Sequence, residues 1–250
     1  MSEKYILYNP YAGGPEAKKA VKALQESNPG AAIINICRIT SYTTLFNGLE
    51  PDASVILCGG DGTLNRFIND VDGIKIQNKL YYYPTGTGND FARDVNQKPF
   101  SDPTVCLNPK PINYTKIAIT GLLFHFKPKN ATVIVDGKSY NYKKVWLASV
   151  MNGKFYGGGM MPTPNQDRLR EDGKISVLVF HDVGKLHALM IFPSIFSGTH
   201  LKYTKQMTIL EGKNIQVQLN EPTPLQIDGE VVPEALEYTA FSETASKPLS

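Results

Sequence analysis

Val55-Ile56-Leu57-Cys58-Gly59-Gly60-Asp61-Gly62-Thr63-Leu64-Asn65 decides how the rest of this chain is read. An apolar run, which reads as a buried strand, ends in Gly-Gly-Asp-Gly-Thr. Behind it Leu64, Phe67, Ile68 and Val71 recur at i, i+3, i+4 and i+7, the spacing of one helix face. Strand, glycine loop and helix together bring backbone N–H groups and a helix N-terminus to an anion. Glycine permits the close approach because no Cβ stands in the way. Three glycines and an aspartate are more than a tight turn needs, so the stretch predicts a phosphate site, with Asp61 organising Mg²⁺ through water.

The same unit recurs on either side. Lys4–Tyr8 predicts a short buried strand ending at Asn9-Pro10-Tyr11-Ala12-Gly13-Gly14, and Pro15 suits the first turn of a following helix. Pro29-Gly30 ends that helix. Residues 31–36 predict a second strand, and Thr40-Ser41 a helix start. Residues 53–58 form the third strand, which runs into the opening stretch. Residues 80–83 form a fourth, ending at Pro84-Thr85-Gly86-Thr87-Gly88-Asn89-Asp90, and a short helix follows over 90–95. Asn89 is a good N-cap residue for it. Strand and helix in alternation imply a doubly wound parallel sheet, whose ligands bind at the carboxyl ends of the strands. The loops at Asn9, Gly59 and Gly86 are therefore expected to converge.

After about residue 100 the pattern changes. Pro99, Pro103, Pro109 and Pro111 mark a crossing segment. Strand-like runs then dominate: 131–135, 145–151, 174–180, 206–210, 215–219 and 225–227. Asp-Gly pairs at 136–137, 172–173 and 228–229 signal turns. This half reads as an antiparallel sandwich or meander, with one helical interruption near 183–196 whose apolar residues fit either a core or a lipid surface. The tail after Ser242 is expected to fray.

Composition excludes several classes. The chain has 250 residues, 42% hydrophobic and 20% charged, ordinary for a globular protein. A net charge of +3 suits an anionic partner but is too weak to point to nucleic acid. Cys37, Cys58 and Cys106 have no metal spacing. Cys37 and Cys58 lie in apolar runs and read as reduced core thiols of a cytoplasmic protein. No signal peptide is visible, and no apolar run is long enough to span a bilayer. The histidines His125, His181, His187 and His200 have no metal spacing and form no Ser-His-Asp set.

Taken together, Asn9-Pro10-x-Ala12-Gly13, Gly59–Asn65, Gly86–Ala92, Asp172-Gly173 and Asp228-Gly229-Glu230 resemble the bacterial diacylglycerol kinase family, which includes sphingosine-kinase-like lipid kinases. A lone Gly-Gly-Asp-Gly-Thr would fit NAD kinases or phosphofructokinases equally; the Gly86–Ala92 run is what separates them. The resemblance implies a nucleotide-binding α/β domain over 1–105 and a β-sandwich domain over 106–235, with the segment 236–250 returning to the first. It places ATP against Asn9, Pro10, Tyr11, Ala12, Gly13, Thr40, Gly59, Gly60, Asp61, Gly62, Thr63, Leu64, Asn65 and Thr87. It assigns Glu230, with Asp228 beside it, to acid–base work on the acceptor. It implies a structural Mg²⁺ at Asp172, helped by the backbone of Leu169 and Lys174. On residues alone, each Asp-Gly pair reads first as a turn, and 136–137 as a hairpin only.

The resemblance further implies a lipid acceptor at a membrane surface, with diacylglycerol the leading choice, a peripheral position at the inner face of the membrane, and a possible homodimer. One departure stands out. Pro111-Ile112-Asn113 passes directly to Tyr114-Thr115-Lys116, where relatives carry a further segment. An NAD-kinase-like soluble kinase and a non-catalytic nucleotide-binding homologue are the alternatives.

Overall fold

A computed structural model describes residues 3–95, 127–228 and 230–242 of the chain. The junction at Asn113–Tyr114, Cys106, His125 and the tail beyond Ser242 lie outside the described residues. The chain forms two compact units, Met1–Ile112 and Asn113–Ser250.

The first unit is built on β1 (Lys4–Tyr8), α1 (Gly14–Ser27), β2 (Ala32–Asn35), α2 (Tyr42–Asn47), β3 (Ser54–Gly59), α3 (Asp61–Asp70), β4 (Lys79–Pro84) and α4 (Asp90–Asp94). The strands pair in parallel in the order β2-β1-β3-β4. Side chains alternate across a strand, and the alternation divides the core. Ile6, Ile56, Cys58 and Tyr83 pack with Ala20 and Leu24 of α1 on one face. Leu7, Val55 and Leu57 pack with Phe46 of α2 and Phe67 of α3 on the other. Helices on both faces make this the doubly wound sheet that the sequence implies. The strand order reverses between β1 and β3, and their carboxyl ends carry the Asn9 and Gly59 loops.

Two details differ from the sequence reading. Cys37 is exposed, because it sits in the 3-10 turn Ile36–Arg38 beyond the end of β2 rather than inside a strand. Asn89 occupies the N-cap position of α4 in a left-handed conformation (φ 54°), and its side chain does not cap the helix.

The second unit holds two antiparallel sheets. One has the order β11-β10-β5-β6, from β5 (Lys129–Val135), β6 (Lys138–Val145), β10 (Asn214–Ile227) and β11 (Glu230–Phe241). The other is β7-β8-β9, from β7 (Leu147–Met151), β8 (Ile175–Phe180) and β9 (Met207–Gly212). Val133, Val135, Ile215 and Val217 of the first sheet meet Ile175, Val177 and Val179 of the second. The opposite side of β8, Leu178 and Phe180, is covered by Ala188 and Ile191 of α5 (Lys185–Ile191) and by Phe192 and Ile195 of the 3-10 turn after it. Because both faces of β8 are buried, its sequence shows an almost unbroken apolar run instead of alternation.

Strand β6 escapes the sequence reading because its alternation is written in Lys, Ser, Tyr and Asn. Strand β10 is continuous where the sequence suggested two pieces. Glu221-Pro222-Thr223-Pro224 interrupts its apolar pattern, and the pairing with β11 shifts register between Gln218 and Thr223 and again before Leu225. Proline supplies no N–H to a ladder, and the irregular register accommodates it. Asp136-Gly137 forms the β5–β6 turn with both residues at positive φ.

His200 is fully buried, and its ring is paired through Nε2 with the Pro162 carbonyl at 2.9 Å. Burial lowers its pKa below the ordinary 6.5. The imidazole is therefore neutral in the fold, while the unfolded chain takes up a proton below about pH 6.5. Its contribution to stability is complete above that pH and declines as pH falls toward the folded-state pKa. His200→Gln is expected to lower the unfolding midpoint at pH 7 and to flatten its pH dependence below about pH 6.5. Parallel slopes for the two proteins in urea titrations would refute this.

Candidate active site: the glycine loops and two Asp-Gly turns

In the first unit, three loops at the carboxyl ends of β1, β3 and β4 are bound to one another. The Asn9 side chain donates from Nδ2 to Thr63 Oγ1 at 2.9 Å, and its Oδ1 accepts the Tyr11 N–H at 3.0 Å. The Thr85 N–H donates to the Gly59 carbonyl at 2.8 Å, and Tyr82 Oη donates to the same oxygen at 3.1 Å. Burial pushes the Tyr82 phenol well above its ordinary pKa, and the nearby Asp61 charge adds to this, so it stays protonated and able to donate. Burial also pushes the Cys58 thiol up to about 12, which leaves it unreactive beneath the loop.

Asp61 supplies the strongest link. Its Oδ2 accepts the Asp90 N–H at 2.9 Å and its Oδ1 accepts the Phe91 N–H at 3.0 Å. The carboxylate thus caps α4 from another loop, with charge complementary to a helix N-terminus. Asn89 turns back instead: its Oδ1 accepts the Gly86 N–H and its Nδ2 donates to the Gly86 carbonyl. Sequence reasoning missed this division of labour, since nothing local to Asn89 or Asp61 signals a partner about thirty residues away.

The glycines have different reasons. A Cβ on Gly13 would lie 2.0 Å from the Thr85 carbonyl oxygen, and Gly13 also needs φ 71°. A Cβ on Gly59 would overlap Thr63 at 2.4 Å, and one on Gly86 would lie 2.5 Å from Gly60 Cα. These three serve loop packing. Gly62 does not: a Cβ there would meet nothing within 4 Å, and its φ is not positive. It is exposed in the first turn of α3, where N–H groups lack partners within the helix. Here the missing Cβ leaves open space outside the protein.

Of the other residues assigned to the nucleotide, Pro10 and Ala12 lie in the Asn9 turn, where the Ala12 N–H donates to the Asn9 carbonyl at 3.2 Å. Tyr11 is 86% exposed. The Leu64 side chain packs on the core face of α3. Asn65 accepts from Asn69 Nδ2. Thr87 is half-buried, while Thr40 is exposed just before Ser41, which caps α2. Among the described residues, Thr40 is not bonded to the three loops.

In the second unit, Asp228 is exposed at positive φ (47°) in the turn between β10 and β11. Gly229 and the Glu230 side chain lie outside the described residues. The Asp172 turn is filled differently from the expectation. Arg170 donates from Nε to Asp172 Oδ1 at 2.5 Å and from Nη2 to Asp172 Oδ2 at 3.0 Å. It also reaches Glu211 Oε2 at 3.1 Å and Gln166 Oε1 at 3.1 Å. The guanidinium, then the Lys174 N–H, hold the Asp172 carboxyl below its ordinary pKa. The Lys174 carbonyl accepts from Gln166 Nε2 at 2.9 Å, and the Leu169 N–H donates to Asp167. These residues do not fit a Mg²⁺ ion, because a side-chain cation already takes both Asp172 oxygens. Among the described residues no group of three or more His, Cys, Asp or Glu is placed to hold a metal.

Two family models match the chain. The family model for the diacylglycerol kinase catalytic domain matches residues 3–111, and the YegS C-terminal NAD kinase beta sandwich-like domain matches residues 93–240. The chain belongs to the bacterial diacylglycerol kinase-like lipid kinase family. Curated diacylglycerol kinases of two Mycobacterium tuberculosis strains, CDC 1551 and H37Rv, are each 24% identical over 237 residues, covering 74% of this chain and 75% of the relative. A crystal structure of a diacylglycerol kinase from Bacillus anthracis str. Sterne superposes with a TM-score of 0.62 at 17% identity, over 97% of this chain and 94% of that one. The family member described here therefore shares that fold while filling its Asp172 turn with arginine.

Arg170→Met isolates this difference. The parent protein should melt at the same temperature with and without a chelator. The variant should melt lower, and Mg²⁺ or Ca²⁺ should raise it again by occupying the oxygens the guanidinium has left. A chelator-sensitive parent, or a variant indifferent to added cation, would contradict the fit described.

Proposed function

We propose that this lipid kinase family member transfers the γ-phosphoryl group of ATP to the hydroxyl of diacylglycerol, giving phosphatidic acid. The observation that carries the reading is Gly62, a glycine that neither packing nor backbone conformation requires, set at a helix N-terminus among three bonded loops. Phosphoryl transfer depends mainly on positioning and on neutralising charge. Backbone N–H groups of the Gly59–Thr63 loop would hold the phosphates. Thr63 and Asn9 would keep that loop in place through their shared bond. Mg²⁺ arriving with ATP would offset the charge of the β- and γ-phosphates. Asp61 gives one lone pair of each oxygen to α4, so its reach to that ion would run through water.

Glu230 is assigned to the acceptor, taking the hydroxyl proton as the new bond to phosphorus forms; Asp228 beside it would set its electrostatic surroundings. The largely exposed Tyr11 ring is available to cover the nucleotide base. No described helix is long and apolar enough to cross a membrane. The lipid would then be met at the membrane surface, from the cytoplasmic side. A homodimer is compatible with this reading and is not required by it.

Transfer from labelled ATP should be measured with diacylglycerol, a sphingoid base and NAD as acceptors. Diacylglycerol should be labelled fastest. Glu230→Gln should lower kcat about 100-fold or more. Gly62→Ala should keep its melting temperature, since alanine suits a helix, yet bind ATP about tenfold more weakly because its methyl enters the phosphate space. Labelling of NAD alone would overturn the lipid assignment. ATP binding without transfer to any acceptor would mark a non-catalytic homologue.

A further inference from the structure

We infer that the outward face of α5 is a docking surface for an anionic phospholipid bilayer. This rests on the reading of the acceptor as a membrane lipid. The sequence leaves the run around Leu186–Phe196 open between core and lipid contact, and the helix divides it between its two faces. Ala188 and Ile191 are completely buried against the β7-β8-β9 sheet side of the core. Leu186 and Met190 are 79% and 70% exposed, and they stand four residues apart on the other side of the same helix. Residues at that spacing share a face.

Charge selects the occupant. From Val183 to Leu210 the sequence contains no Asp or Glu, while Lys185, Lys202 and Lys205 are all exposed. The flanking acids are engaged elsewhere: Asp182 with His181 Nδ1 at 2.8 Å, and Glu211 with Arg170. His187 is exposed on the same helix. Shape then favours lipid over protein. Leu186 and Met190 are flexible side chains projecting from a helix rather than lining a groove, and a fluid acyl layer accepts such side chains without a complementary surface. Lys185 in the first turn of the same helix, and Lys202 and Lys205 later in the same acid-free stretch, would gain from the negative potential of an anionic leaflet.

The full chain should be floated with vesicles of phosphatidylcholine alone and of phosphatidylcholine with phosphatidylglycerol, without ATP. Binding should require phosphatidylglycerol and weaken as NaCl is raised. Leu186→Ser with Met190→Ser should lower partitioning about tenfold or more. Lys202→Glu with Lys205→Glu should lower it by a similar factor and reduce the salt dependence. Neither pair is placed in the nucleotide loops, so transfer to diacylglycerol dispersed in detergent should be unchanged while transfer in vesicles falls. Wild-type binding that ignores phosphatidylglycerol, or variants that float like the wild type, would overturn the inference. So would capture of an acidic protein by this face with no vesicle binding. Vesicle binding that depends on these residues, in a chain that transfers no phosphate, would retain the docking face and remove the kinase reading instead.

Discussion

The first unit depends on one carboxylate. Asp61 stands at the end of β3 and the start of α3, and it accepts both leading N–H groups of α4. A five-residue helix cannot form by itself, since nucleation is unfavourable and few bonds follow it. Its helicity is therefore borrowed from a residue in another loop. The same loop receives the Thr85 N–H, the Tyr82 hydroxyl and, through Thr63, the Asn9 amide. What looks like a list of motifs in sequence is one cross-braced surface in space.

Much of this was legible in the residues, for physical reasons that can be named. A strand, a glycine loop and a 3.6-residue period follow one another without a break at Val55–Val71, so local propensity and packing agree there. The central strands β1 and β3 declare themselves as apolar runs because both of their faces are covered. What could not be read were bonds between residues distant in sequence. Asn89 has the composition of a cap, yet the capping oxygens come from Asp61. Gly59 and Gly62 look alike on the page, and only the space around each separates a glycine that packing requires from one that it does not. Leu64 belongs to the motif but to the core in its contacts. Cys37 follows apolar residues, but the strand stops before it.

The second unit was legible by its turns more than by its strands. Asp136-Gly137 announces a hairpin, and the backbone there takes positive φ at both residues. The carboxylate of Asp136 also accepts the Lys213 and Asn214 N–H groups, tying the turn to the next strand pair, which no local pattern signals. Prolines hid the continuity of β10. At Asp172 the same Asp-Gly signature accompanies an arginine two residues earlier, and the balance of charge at that turn is settled within the chain.

Gly60 and Gly86 meet backbone to backbone, leaving no room for a side chain on Gly86. Neither position can drift alone: a larger residue at one demands a retreat of the other loop, which Asp61 and Thr85 anchor from either side. Two segments separated by a whole strand are thus constrained as a single unit. Divergence among descendants of this chain should be channelled away from both loops together, toward the polar strands and the outer face of the sandwich.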